Sequence, residues 1–163
     1  MMKNSVDARL LVRHFSEKGI TVCTAESCTG GLVAKLITDV AGSSQVLLGG
    51  FVTYTNEVKM RLLGVDSELL ARETEVSHAC AKAMAEGARE RLGATLAVSL
   101  TGFAGPTGGT DADPVGTVYI GIASPRGVVS ERFQAPDPST RKKVREAAAM
   151  RALELLYCEG ARL

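Results

Sequence analysis

The chain has no tryptophan, and aromatic residues make up only 4% of it. So thin an aromatic complement gives little material for the stacking platforms that bind single-stranded nucleic acid. An excess of basic charge is also missing. The formal net charge is +1, which argues against direct nucleic-acid binding over a broad surface. Histidine occurs twice, at His14 and His78, and the four cysteines (Cys23, Cys28, Cys80, Cys158) form no CxxC pair. Neither histidine stands at zinc-ligand spacing from a cysteine, so no metal site is expected. Both histidines read as helix-surface residues, which leaves a Ser–His–Asp triad without its base. No apolar run is long enough to cross a bilayer. The stretch MMKNSVDARLLVRHF carries charges through its apolar part, unlike a secretory leader. The expectation is a cytoplasmic chain with reduced thiols and no membrane partner.

What is present is an ordinary globular composition: 163 residues, 45% hydrophobic and 23% charged. That length suits one domain, 1–163, able to bury roughly two thirds of its unfolded surface. The hydrophobic spacing predicts a first helix through SVDARLLVRHFSEKG, with Val6, Leu10, Leu11 and Phe15 on one face, Ser5 as N-cap and Gly19 as C-cap. ITVCTA reads as a strand. LVAKLITDV reads as a helix that AGSS breaks, and VLLGGFVTYT as a strand with a glycine pair inside it. NEVKMRLLG predicts a short helix between Asn56 as cap and Gly64, and VDSELLARETE a second short helical piece. SHACAKAMAEGARERLG is a helix capped by Ser77 and ended by Gly93, with Cys80, Met84, Ala88 and Leu92 on a common face. ATLAVSLT is a buried strand, and GTVYIGIAS and VVSERFQA form a hairpin around Pro125-Arg126-Gly127. RKKVREAAAMRALELLYC is the last helix. Strands that alternate with helices and then form a hairpin predict an α/β fold. The expected architecture is a three-layer α/β/α sandwich on a mostly parallel mixed sheet with one antiparallel strand.

Four segments are candidates for chemistry. In AESCTGG, residues 25–31, a strand runs into Glu26-Ser27 and a helix starts past the glycines. Such a junction lies at the carboxyl end of the sheet, where open α/β folds place ligands. Backbone N–H groups at a helix start can hold an anion or an oxyanion, and a serine there is placed like a nucleophile. The same segment serves equally as an ordinary N-cap with a glycine turn. Cys28 is a rival nucleophile, but neighbouring side chains at a junction point different ways, so the two are not expected to share a pocket. In GGFVTYTNEVK, Tyr54 ends a strand and Lys59 lies in the first turns of the next helix. A lysine can deprotonate a serine if burial or a nearby cation lowers its pKa, and a tyrosine can position the proton. A solvated lysine and a strand-end aromatic are the plainer alternative. The loop TGFAGPTGGT, residues 101–110, is too glycine-rich for core, and its glycines allow close backbone approach to a ligand. It is neither a Walker motif nor GxGxxG. Arg141 and Arg145 share a face near the start of the last helix, where arginine suits phosphate binding.

In combination these segments resemble the C-terminal domain of the competence/damage-inducible CinA family. The resemblance covers nearly the whole chain and rests on AESCTGG, ITDVAGSS, GGFVTYTNEVK, LGV, TGFAGPTGGT, PVGTV and the arginines of RKKVR, all in the family's order. It implies a stand-alone nicotinamide-nucleotide amidohydrolase that converts nicotinamide mononucleotide to nicotinate mononucleotide and ammonia in pyridine-nucleotide recycling. Ser27 is then the nucleophile, Lys59 its base and Tyr54 the third catalytic member. Backbone N–H groups of Thr29, Gly30 and Gly31 would hold the oxyanion. Thr101, Gly102, Ala104, Gly105, Gly108 and Gly109 would line the nucleotide pocket, and Arg141 or Arg145 would bind the phosphate. The reaction calls for no metal or other cofactor. The implied partners are a small nucleotide substrate and a second copy in a homodimer. The chain departs from the family at Thr55, where serine is frequent, and at Phe103, where isoleucine is common and where the pocket would be reshaped. A non-catalytic nucleotide-binding module, or an accessory protein in competence or DNA repair, are the alternative functions.

Overall fold

The computed structural model describes residues 6–163. In chain order the elements are α1 (Ala8–Lys18), β1 (Val22–Glu26), α2 (Leu32–Thr38), a 3₁₀ turn (Ser43–Gln45), β2 (Leu47–Val52), α3 (Asn56–Leu63), α4 (Ser67–Glu73), α5 (His78–Leu92), β3 (Leu96–Gly102), β4 (Thr117–Ser124), β5 (Gly127–Gln134) and α6 (Arg141–Gly160).

The five strands form one sheet in the order β2-β1-β3-β4-β5. β1 runs parallel to both β2 and β3, while β4 is antiparallel to β3 and β5. β4 alone therefore opposes the other four, as the strand–helix order predicts. Two apolar clusters cover the two faces. One joins α1, α2 and α6 to the sheet through residues such as Phe15, Ile37, Leu100, Ile120 and Leu153. The other joins α3, α4 and α5 through Leu63, Leu70, Met84 and Ala97. The result is the three-layer α/β/α sandwich.

α5 sits close to the sheet because its inner face is small: Ala81, Ala85 and Ala88 are buried there. Gly121 of β4 completes that fit, since a Cβ on it would lie 2.4 Å from the Ala81 carbonyl oxygen. The Ser99 hydroxyl donates to the same carbonyl at 2.5 Å. A larger residue at position 121 would lift α5 off the sheet.

Several helix ends differ from the sequence reading. α1 is capped by Asp7, whose carboxylate accepts from Leu10 N–H at 2.9 Å. Val6 precedes that cap, and Ser5 lies outside the described residues. Thr55, not Asn56, caps α3, accepting from Val58 N–H at 3.3 Å, so Asn56 becomes the first helical residue. α2 stops at Thr38, leaving Val40 beyond it. β2 stops at Val52, two residues short of Tyr54. Leu92 is half-buried on α5, whereas Cys80, Met84 and Ala88 are fully buried. His14 is half-buried, its ring 5.2 Å from that of Tyr157, while His78 is exposed and bonded to Ser130. No helix among the described residues is long and apolar enough to cross a membrane.

The topology fixes where a ligand can sit. The β1–β2 connection carries α2 on one face, and the β2–β3 connection carries α5 on the other. Around β1 the chain therefore departs to opposite sides, which opens a crevice beyond the carboxyl ends of the strands.

Candidate active site

The carboxyl ends of β1, β2 and β3 converge on a cleft of about 210 Å³. Ser27 and Cys28 enter it just past β1, Tyr54 past β2, and Thr101 to Gly105 from the end of β3 onward. Lys59 of α3, Glu75 and Val76 before α5, Thr107 of the long loop and Arg141 of α6 complete the wall.

Glu26 organises the turn on which Ser27 stands. It is the last residue of a strand buried along its full length, and its own side chain is fully buried. Its carboxylate accepts the N–H groups of Gly31, Val33 and Ala34 at 3.1, 3.0 and 2.9 Å. These are orphan donors at the start of α2, so a side chain already fills the anion position of that helix end. Sequence reasoning missed Glu26, although it stands next to the candidate nucleophile.

The oxyanion assignment changes as a consequence. The N–H of Gly31 is taken by Glu26, and that of Gly30 donates to the Ser27 carbonyl at 3.1 Å. Among the described residues, Cys28 and Thr29 are the turn residues whose N–H groups donate to no other backbone or side-chain oxygen.

Lys59 is the least ordinary residue of the site. It is 1% exposed, and its Nζ lies 3.1 Å from Ser27 Oγ. Nζ also donates to the carbonyl of Thr53 at 3.0 Å and reaches that of Tyr54 at 3.5 Å. Among the described residues no carboxylate pairs with it. Burial drives its pKa below the usual lysine value of 10.5, against smaller opposing influences from Cys80, Glu75 and Cys28. Burial, rather than a neighbouring cation, is the cause.

Cys28 lines the same cleft as Ser27, contrary to the expectation that only one of the two would. Burial pushes its thiol up to about 11, so the thiolate that a cysteine nucleophile needs is scarce at neutral pH.

The two arginines separate. Arg141 lines the cleft, donating to the Gly105 carbonyl at 2.9 Å and to the Tyr54 hydroxyl at 2.8 Å. Arg145 does not line it. Its guanidinium donates to the carbonyls of Cys28 at 3.1 Å and Thr29 at 2.8 Å, clamping the turn that carries Ser27. The phenol of Tyr54 thus meets Arg141, and it is the Tyr54 carbonyl that approaches Lys59.

Of the loop residues, Thr101, Gly102, Ala104 and Gly105 line the cleft together with Phe103, whereas Gly108 and Gly109 lie outside it. The loop is tied down further along. Asp113 accepts from Arg132 Nε at 2.8 Å and from the Tyr119 hydroxyl at 3.0 Å. Thr107 comes from the candidate loop TGFAGPTGGT, though not from the residues assigned to its pocket, and Glu75 reaches the cleft without any motif that announced it.

A buried amine held on a serine, at the crevice of an α/β/α sandwich, defines the class: a Ser–Lys site on an open α/β sheet. Comparisons with known proteins give the family. The model of the CinA C-terminal domain matches residues 5–159, and the chain belongs to that family. A CinA-like protein from Geobacter sulfurreducens is 51% identical over 155 residues, covering 94% of this chain and 36% of the relative. A putative competence-damage inducible protein from Symbiobacterium thermophilum is 50% identical, covering 88% and 35%. The chain thus spans about a third of the length of these curated relatives. Among solved structures, a competence/damage inducible protein from Agrobacterium tumefaciens is 43% identical with a TM-score of 0.88, covering 91% of this chain and 90% of that one. A CinA superfamily protein from Klebsiella pneumoniae is 31% identical with a TM-score of 0.90, covering 96% of both chains.

Proposed function

We propose that the chain hydrolyses the carboxamide of nicotinamide mononucleotide to nicotinate mononucleotide and ammonia, with Ser27 as nucleophile and Lys59 as its base. The observation that carries this reading is the buried Lys59 amine, unpaired with any described carboxylate and 3.1 Å from Ser27 Oγ. An uncharged amine has two hydrogens and one lone pair. The hydrogens suit the carbonyls of Thr53 and Tyr54, which leaves the lone pair for the Ser27 hydroxyl.

Ser27 Oγ attacks the carboxamide carbon as its proton passes to Lys59. The N–H groups of Cys28 and Thr29 receive the negative oxygen. Collapse breaks the C–N bond, and Lys59 returns the proton to the departing nitrogen, which leaves as ammonia. Water then attacks the acyl-serine, giving one proton to Lys59, and Ser27 recovers its hydroxyl as the carboxylate product forms. Arg141, at the wall of the cleft, is the phosphate-binding arginine, and Tyr54 orients it. Thr101, Gly102, Ala104 and Gly105 contact the nucleotide, Gly108 and Gly109 shape the loop, and Arg145 holds the turn. A reducing cytoplasmic setting suits four free cysteines. A homodimer is part of the same proposal, supported by the exposed Leu48 and Val52 on edge strand β2.

Ammonia release from nicotinamide mononucleotide by the purified protein, with Ser27→Ala as control, tests the reading. Release by the wild type and none by a folded Ser27→Ala protein supports it. Binding without release identifies a non-catalytic nucleotide-binding module, and neither binding nor release rejects the substrate.

A further inference from the structure

Glu75 lines the same cleft as Ser27 and Lys59, yet the mechanism above gives it no task. It sits in the short connection between α4 and α5, beside a backbone position of unusual conformation. Thr74 has φ +67°, and it is the one non-glycine residue at positive φ among those described. β-Branched residues avoid that region, so the connection is held there by its surroundings. Those surroundings are explicit. The Ser77 hydroxyl donates to the Thr74 carbonyl at 3.0 Å, and the Thr101 hydroxyl donates to the Glu75 carbonyl at 2.6 Å. Thr101 is itself buried in the cleft wall, so residue 75 is tied to the end of β3.

The Glu75 side chain is exposed, and no described lysine or arginine forms an ion pair with it. Its carboxylate acts on Lys59 through space. An unpaired carboxylate on a residue that lines a cleft repels anions and attracts cations. Phe103 lines the same cleft and gives it an aromatic ring, which also attracts a cation. Arg141 gives it a positive group in addition.

We infer that Glu75 is a specificity-determining residue that selects amides carried on a positively charged ring, an N-ribosyl pyridinium in preference to its neutral dihydropyridine counterpart. The inference rests on the amidohydrolase reading and deepens it. The substrate proposed there is charged at both ends, with a cationic ring bearing the amide and an anionic phosphate, and the cleft offers Glu75 and Arg141 as complementary charges. The acidic product places a second carboxylate near Glu75, which favours its release.

The test is calorimetric binding in a Ser27→Ala background, where turnover does not interfere. The two ligands are nicotinamide mononucleotide and its reduced dihydro form, which share ribose and phosphate and differ in ring charge. The unaltered background is expected to bind the oxidised form more tightly. Adding Glu75→Gln is expected to weaken the oxidised ligand about two- to fivefold, the scale for losing one solvent-screened charge contact, and to leave the reduced ligand essentially unchanged. Glu75→Asp, which keeps the charge, restores most of the difference. Equal changes for both ligands, or none, overturn the role of Glu75 while leaving the amidohydrolase reading intact. Failure of the background protein to bind either nucleotide rejects that reading instead. Unfolding midpoints confirm that the variants are folded.

Discussion

The guanidinium of Arg145, on α6, donates to the carbonyls of both Cys28 and Thr29, the two residues that follow Ser27. One arginine therefore ties the last helix to the turn that carries Ser27. Arg145→Ala frees that turn and leaves two carbonyls without their charged donor. The expected result is a fall in kcat with KM little changed, together with a loss of about 1–3 kcal/mol of stability. Steady-state kinetics and urea denaturation check both parts. An increase confined to KM would instead place Arg145 on the substrate.

Arg141 is expected to behave in the opposite way. Arg141→Ala weakens nicotinamide mononucleotide by about 1.5–3 kcal/mol, the worth of a charge-assisted bond to phosphate. Nicotinamide riboside, which lacks the phosphate, is hardly affected. Comparing kcat/KM for the two substrates reads this directly, and equal losses for both remove Arg141 from phosphate recognition.

The division between these two arginines was not legible in the sequence. Their spacing puts both on one helix face, but whether a guanidinium meets a cleft or a carbonyl depends on how α6 lies against the β1–α2 turn. The caps show where local reading works and where it slips. Gly19, Gly64 and Gly93 end their helices at φ of 67°, 71° and 64°, as glycine after an apolar repeat suggests. At α3 two adjacent residues, Thr55 and Asn56, are both able to cap, and only the hydroxyl's actual reach to Val58 N–H decides. Ser27 and Lys59 could be named as a pair only through the family's motifs. Glu26 stayed hidden because its partners are backbone amides five to eight residues ahead, a geometry without a side-chain signature.

Glu26→Gln tests the organising role of that carboxylate. An amide keeps one acceptor oxygen but presents an NH₂ group to N–H donors. The variant is expected to lose about 2 kcal/mol of stability. Amide hydrolysis should fall with it, since Ser27 is the next residue. Chemical denaturation followed alongside ammonia release checks this. A variant as stable as the wild type would show that the helix start does not depend on Glu26.

Lys59 ties stability to pH with a definite sign. Its folded pKa lies below the unfolded value, so between the two the unfolded chain holds a proton that the folded chain lacks. Stability from this group therefore rises with pH across that window and is lowest at pH below the folded pKa. Relative to Lys59→Met, which does not titrate, the wild type should gain stability as pH climbs toward 10.5. Denaturation of both proteins over that range measures the difference, and a flat difference denies the depressed pKa.

The proposed mechanism requires the Lys59 amine to be uncharged when it receives the Ser27 proton. The measurement that reads this most directly is kcat/KM for ammonia release as a function of pH, which reports groups on the free enzyme, taken for the wild type and Lys59→Arg. The wild-type rate should rise through a single proton loss whose midpoint lies below 10.5, the ordinary lysine value from which burial lowers it. Lys59→Arg should be inactive throughout, because guanidinium keeps its proton. Near-normal turnover by Lys59→Arg, with the same pH profile as the wild type, would contradict the Ser27–Lys59 mechanism.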